Sequence, residues 1–115
     1  MLRQKTAALL VLPDPVVNSN HALVAEFVTR NRVPSVYLFR EQAINGGLLS
    51  YGPSRIDNWR RAATYVDRIL RGANPAEMPI EQPTKFELVV NMKTAKTLGI
   101  KIPATVMIRA DEVIE

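Results

Sequence analysis

A run of apolar residues from Ala7 to Leu12, closed at once by Pro13-Asp14-Pro15, constrains this chain more than any other feature. A continuous apolar stretch bounded by turn formers predicts a strand buried on both faces, the pattern of parallel sheets. Asn18, Ser19 and Asn20 follow, all good helix N-cap types. Leu23, Val24, Phe27 and Val28 then recur at helical spacing up to Arg30, and Pro34 opens a second apolar run, Val36-Tyr37-Leu38-Phe39. Strand, helix and strand in that order predict a βαβ unit with a right-handed crossover. The fold class expected is therefore α/β, a parallel sheet flanked by helices.

Beyond that unit, Arg40 to Asn45 has room for a single helical turn, broken by Gly46-Gly47. Leu48 to Tyr51 reads as a short strand closed by Gly52-Pro53. Ser54 and Asp57 open a helix whose apolar stripe is Ile56, Trp59, Ala63, Val66 and Ile69/Leu70, stopped by Gly72. Its arginines lie mostly off the stripe and read as a solvated face. Three prolines (Pro75, Pro79, Pro83) make the next segment an extended connector. Phe86 to Asn91 alternates as a strand. Asn91 caps a helix from Met92 to Leu98 ended by Gly99, and Pro103 starts a last short helix over Ala104 to Arg109.

Composition removes several functions. The 115 residues suffice for one modest core, and there is no Cys and a single His, His21. A thiolate–imidazole zinc site, a disulfide framework and a cysteine nucleophile are excluded. The net charge of +4 comes with arginines clustered between Arg55 and Arg71, but without interleaved exposed aromatics, so nucleic acid is not an expected partner. No apolar run approaches the ~20 residues that span a bilayer. Residues Met1 to Thr6 are polar and lack the apolar core of an export signal. His21 has Asp14 and Glu26 as its nearest carboxylates but no Ser or Cys in a strand-to-helix elbow, so no triad is expected. Gly46-Gly47 matches neither the P-loop nor the dinucleotide fingerprint. No catalytic residue, metal or cofactor is expected.

Several motifs occur in one order: Pro34-Ser35-Val36-Tyr37-Leu38-Phe39-Arg40-Glu41, then Gly46-Gly47-Leu48-Leu49-Ser50-Tyr51-Gly52. They continue through Arg61-Ala62-Ala63, Tyr65-Val66-Asp67, Glu81-Gln82-Pro83-Thr84-Lys85-Phe86-Glu87-Leu88-Val89-Val90-Asn91 and Lys93-Thr94-Ala95-Lys96. From about Ala7 to Glu115 the chain resembles the C-terminal part of the ABC-transporter substrate-binding proteins, of the type I periplasmic-binding-protein fold. The resemblance implies a periplasmic receptor whose two α/β lobes close on a small solute, such as an amino acid, and deliver it to an ABC permease without chemistry. It implies a second-lobe βαβ over residues 7–45, a strand and helix over 48–72 donated to the first lobe, and a return to the second lobe over 84–115. Gly46 to Gly52 becomes a crossing between lobes. On this reading the chain is expected to be a fragment without the first lobe or signal sequence, forming a homodimer through the exposed Trp59 stripe. A ligand-sensing regulatory domain of the same fold is the alternative, and a flavodoxin-like enzyme a more distant one.

In open α/β sheets, ligands sit beyond the C-terminal ends of strands. Those ends supply the candidate solute-binding residues Asp14, Arg40, Glu41, Ser50 and Tyr51. Asp14 and Glu41 can accept from an amine, Arg40 can clamp a carboxylate bidentately, and Tyr51 can stack or donate. Each has a plainer role open to it: helix cap for Asp14, Glu41 partner for Arg40, core filler for Tyr51.

Overall fold

A computed structural model describes residues 6–115. The polar lead-in read for residues 1–5 lies outside the described residues. The elements are β1 (Leu9–Leu10), α1 (Pro15–Ser19), α2 (His21–Arg30), β2 (Ser35–Tyr37), α3 (Arg40–Ile44), β3 (Leu49–Pro53), α4 (Arg55–Leu70), β4 (Phe86–Asn91), α5 (Met92–Leu98), α6 (Ala104–Met107) and β5 (Glu112–Ile114). They form an α/β fold around a five-stranded sheet in the order β1-β2-β3-β4-β5.

The βαβ reading holds: β1 pairs parallel with β2 in the register Leu9↔Ser35, and β2 with β3 in the register Tyr37↔Ser50. β4 and β5 are also parallel, with Val90↔Val113. Between the two groups the direction reverses. The Asn91 N–H donates to Leu48 O and the Ser54 N–H to Lys85 O, so numbering falls on β4 as it rises on β3. The sheet is thus mixed rather than wholly parallel. The physical reason is that the chain leaves along β3 and returns along the strand beside it.

The chain divides into two compact units, one of residues up to Gly52 together with Glu87–Glu115, the other Pro53–Phe86. In the first, most of the core lies on one sheet face. Val11, Tyr37, Leu48 and Val89 are buried there with Ala25 and Val28 of α2, Ala43 of α3 and Ala95 of α5. Val90 of β4, pointing the other way from Val89, is also fully buried. The opposite face is covered less. Leu10 and Leu12 are 67% and 68% exposed, so the strand expected to be buried on both faces has one face open among the described residues. Local chemistry sets the helix ends. Asn91 Oδ1 accepts from the Thr94 N–H at 3.0 Å to start α5, and Gly99 ends it at φ 69°, in the left-handed region that favours glycine.

The second unit consists of α4 and the connector, where Pro75–Glu77 makes one 3-10 turn capped by Asn74. Ser54 holds the N-cap position of α4, but its side chain makes no capping hydrogen bond. No residue of α4 is buried. The connector packs along Asn58, Arg61, Tyr65 and Ile69, while Ile56, Trp59, Val66 and Leu70 remain exposed. The apolar stripe read from the sequence is therefore present and uncovered among the described residues.

Candidate functional site

β3 is where the first unit's chemistry collects. Gly46 turns into it at φ 109°, a conformation side chains rarely adopt. Gly47 and Gly52 are needed for space: a Cβ on Gly47 would lie 2.4 Å from the Tyr37 ring, and one on Gly52 2.1 Å from Leu38 O. Between these close approaches the strand alternates. Ser50 points into the core and is wholly buried beside its register partner Tyr37, whereas Tyr51 points outward and is 57% exposed.

Tyr51 lines a pocket of about 660 Å³ within this unit. Leu49 and Leu88 of the sheet line it with Tyr51, together with Thr105 and Val106 of α6 and with Arg109 and Asp111 from the turn before β5. Asp111 is fixed twice against β4: its Oδ2 accepts from the Leu88 N–H at 2.7 Å, and its own N–H donates to Leu88 O at 2.8 Å. The side chains of Arg109 and Thr105 make no hydrogen bond or ion pair with another described residue. The pocket thus offers an aromatic ring, a hydroxyl, a cation and an anchored carboxylate alongside an apolar surface. An apolar surface carrying a few polar and charged groups is the chemistry of a small-molecule binding pocket.

The other residues singled out from sequence are placed elsewhere. Asp14 accepts from the Val16 and Val17 N–H groups at 2.8 and 3.1 Å as the N-cap of α1. Arg40 bonds Glu112 at 2.5 Å, each side chain about one-third to two-fifths exposed. Glu41 is exposed in the first turn of α3, where the helix dipole favours a carboxylate. The hydroxyls of Ser50, Ser35 and Tyr37 are buried without a hydrogen-bond partner, and burial raises the Tyr37 phenol above its ordinary value, with Ser35 close enough to oppose this slightly. His21 donates from Nδ1 to Asn18 O at 2.9 Å and meets Asn45 Nδ2 through Nε2 at 3.3 Å, tying the start of α2 to the end of α3. Of the five candidates, Tyr51 is the one that lines the pocket. Thr105, Arg109 and Asp111 escaped the sequence reading because β5, which holds the Arg109–Asp111 turn in place, was not foreseen.

A second concavity, about 580 Å³, lies within the other unit between α4 and the connector. Arg61 joins its walls by bonding both Glu81 and, at 2.8 Å, Thr84 Oγ1. The Arg61 guanidinium holds the Glu81 carboxyl below the usual carboxylate range. Tyr65 donates to Pro79 O at 2.6 Å, which fastens the connector to the helix. Among the described residues no three potential metal ligands cluster, and no helix is long and apolar enough to cross a membrane.

Residues 1–114 match the family model described as ABC transporter substrate binding protein. A comparison with curated protein sequences finds no match. Among solved structures, a conserved domain protein from Vibrio cholerae is similar, with 25% identity and a TM-score of 0.90 over 97% of this chain and 38% of that one. An ABC domain in complex with L-Trp from Streptococcus pneumonia has 27% identity and a TM-score of 0.89 over 98% of this chain and 38% of that one. A ligand-free, open substrate-binding protein with adhesive properties from Clostridium difficile, at 22% identity and a TM-score of 0.65, shares the fold, over 93% of this chain and 36% of that one. The chain thus spans 38% of the length of each of the first two structures it matches.

Proposed function

Because this chain belongs to the family of ABC transporter substrate-binding proteins, we propose that it forms part of a receptor that binds a small solute reversibly and hands it, unchanged, to a membrane permease for import. The observation that carries this reading is the Tyr51 pocket, an open concavity with an apolar lining and a few polar groups on the strand by which the chain leaves its first unit. The solute proposed is an amino acid or a related metabolite, supported by the relative that binds L-Trp.

On this account the unit Pro53–Phe86 belongs to the receptor's first lobe and the remainder to its second, with β3 and β4 as crossings between them. The exposed stripe of α4 supports that assignment, since an amphipathic helix of this length is stable chiefly when its apolar face is covered. Tyr51 contributes to the solute cleft, and Asp14, Arg40, Glu41 and Ser50 contribute by contact or by holding strand ends in place. The receptor works outside the cytoplasmic membrane, as family members generally do. No step of bond making is involved.

The test is calorimetric titration of the protein with a panel of amino acids headed by L-tryptophan, followed by mass spectrometry of the recovered ligand. Saturable binding with the ligand returned intact supports the reading. Failure of every small metabolite to bind, or recovery of a chemically altered ligand, overturns it.

A further inference from the structure

We infer that the Tyr51 pocket is an α-amino-acid subsite, in which Arg109 takes the carboxylate, Asp111 the ammonium group, and Tyr51 with Leu49 and Leu88 the side chain. The inference rests on the solute-binding reading above and adds the groups that would select the ligand. Its basis is the arrangement of charge. Arg109 and Asp111 are separated by one residue in the turn before β5, and both border the same pocket. They do not neutralise each other, since no ion pair joins them and neither pairs with another described side chain. A cation and an anion that line one pocket without pairing match a zwitterion better than a simple acid or amine.

Each group is suited to its part. The Arg109 guanidinium has all its side-chain N–H donors available and can grip a carboxylate through two parallel bonds. Asp111 commits one oxygen, Oδ2, to the Leu88 N–H, which fixes the carboxylate's position and leaves Oδ1 to accept from an ammonium. The Thr105 hydroxyl, which lines the same pocket, can bond either end of the ligand. Tyr51 and Leu88 stand opposite each other on the antiparallel pair β3–β4, given the Asn91–Leu48 bond that sets the register, so ring and leucine form one continuous surface. An aromatic or large aliphatic side chain fits this surface, whereas a sugar would leave both charges without a counter-ion.

The test uses three probes on the full chain: L-tryptophan, indole-3-propionate, which lacks the ammonium group, and tryptamine, which lacks the carboxylate. L-tryptophan is expected to bind at least tenfold tighter than either analogue, because each loses a charge-assisted contact. Arg109→Gln should weaken L-tryptophan and indole-3-propionate by about tenfold or more while leaving tryptamine within about twofold. Asp111→Asn, which keeps an acceptor for the Leu88 N–H, should do the reverse, weakening L-tryptophan and tryptamine only. Circular dichroism of both variants checks that they are folded. If L-tryptophan binds and neither variant changes its affinity, the subsite is wrong and the receptor reading stands. Equal weakening of all three probes by a folded variant also overturns the subsite, since it indicates a general disturbance. If no amino acid binds the wild-type protein, the subsite fails; if other small metabolites also fail, the receptor reading fails with it.

Discussion

Replacing Gly52 with alanine would place a methyl carbon 2.1 Å from the carbonyl oxygen of Leu38 and 3.0 Å from its carbonyl carbon. Ordinary van der Waals contact at such a site begins near 3.4 Å, so one strand must retreat by more than an ångström. The obstacle is backbone, and no rotamer change can relieve it. Overpacking a well-filled interior costs about 1–3 kcal/mol, and a clash with the neighbouring main chain belongs at the upper end, about 3 kcal/mol. Gly99→Ala is the control. No atom lies within 4 Å of its added carbon, so its cost is the left-handed backbone alone, about 1–2 kcal/mol. Urea unfolding followed by far-ultraviolet circular dichroism separates the two. With a slope of about 1.5 kcal/mol per molar, Gly52→Ala should lower the midpoint by roughly 2 M and Gly99→Ala by about a third to two-thirds as much. A Gly52→Ala protein within about 0.5 kcal/mol of wild type, or more stable than Gly99→Ala, would refute the reasoning that β3 runs against Leu38 at closest approach.

Other consequences follow from single side chains. Asn91→Ala removes the cap of α5 and the bond from Nδ2 to the buried Ala43 O at 2.8 Å; the cost should be about 2–4 kcal/mol in the same assay. Tyr37→Phe removes a buried hydroxyl that has no partner, so its stability should be unchanged or higher by up to about 1 kcal/mol, and a loss would show that the phenol is bonded in solution. Glu81 has its folded pKa below the ordinary 4.5 through Arg61, so its contribution is complete above that value and fades as pH falls through the depressed one. Amide protection in the connector should therefore be constant above about pH 4.5 and drop on acidification, and Glu81→Gln should abolish the step. The isolated chain should self-associate through the α4 stripe, where Trp59 is 70% exposed; Trp59→Glu should shift light scattering toward the monomer mass, and a monomeric wild type at high micromolar concentration would refute this.

What could be read from the sequence was largely what local chemistry decides. Asn91 as cap and Gly99 as stop bracket α5 within one short stretch, and the structure gives it the same limits. The β1–α2–β2 unit was legible because its periodicity is local too. α1 was not foreseen, although Asp14 and Pro15 together make a strong start signal; a cap and a ligand carboxylate look alike in sequence. β5 was missed because Glu112–Ile114 has three residues and exists through its pairing with β4. The reversal between β3 and β4 was invisible for a similar reason, since pairing across the connector leaves no trace in either strand's alternation. Burial on both faces was inferred for Ala7–Leu12 from its apolar content, yet content reports what a strand can tolerate, and Leu10 and Leu12 are exposed. The site suffered most. Tyr51 was found from its place at a strand end, whereas Arg109 and Asp111 reach the same pocket from far along the chain.

The most direct test of the account is calorimetric titration of L-tryptophan and a small-metabolite panel into the protein, with the ligand analysed afterwards by mass spectrometry. An amino acid should bind saturably, at one site per chain, and be recovered unchanged. No heat from any member of the panel, or a chemically altered ligand, would contradict it.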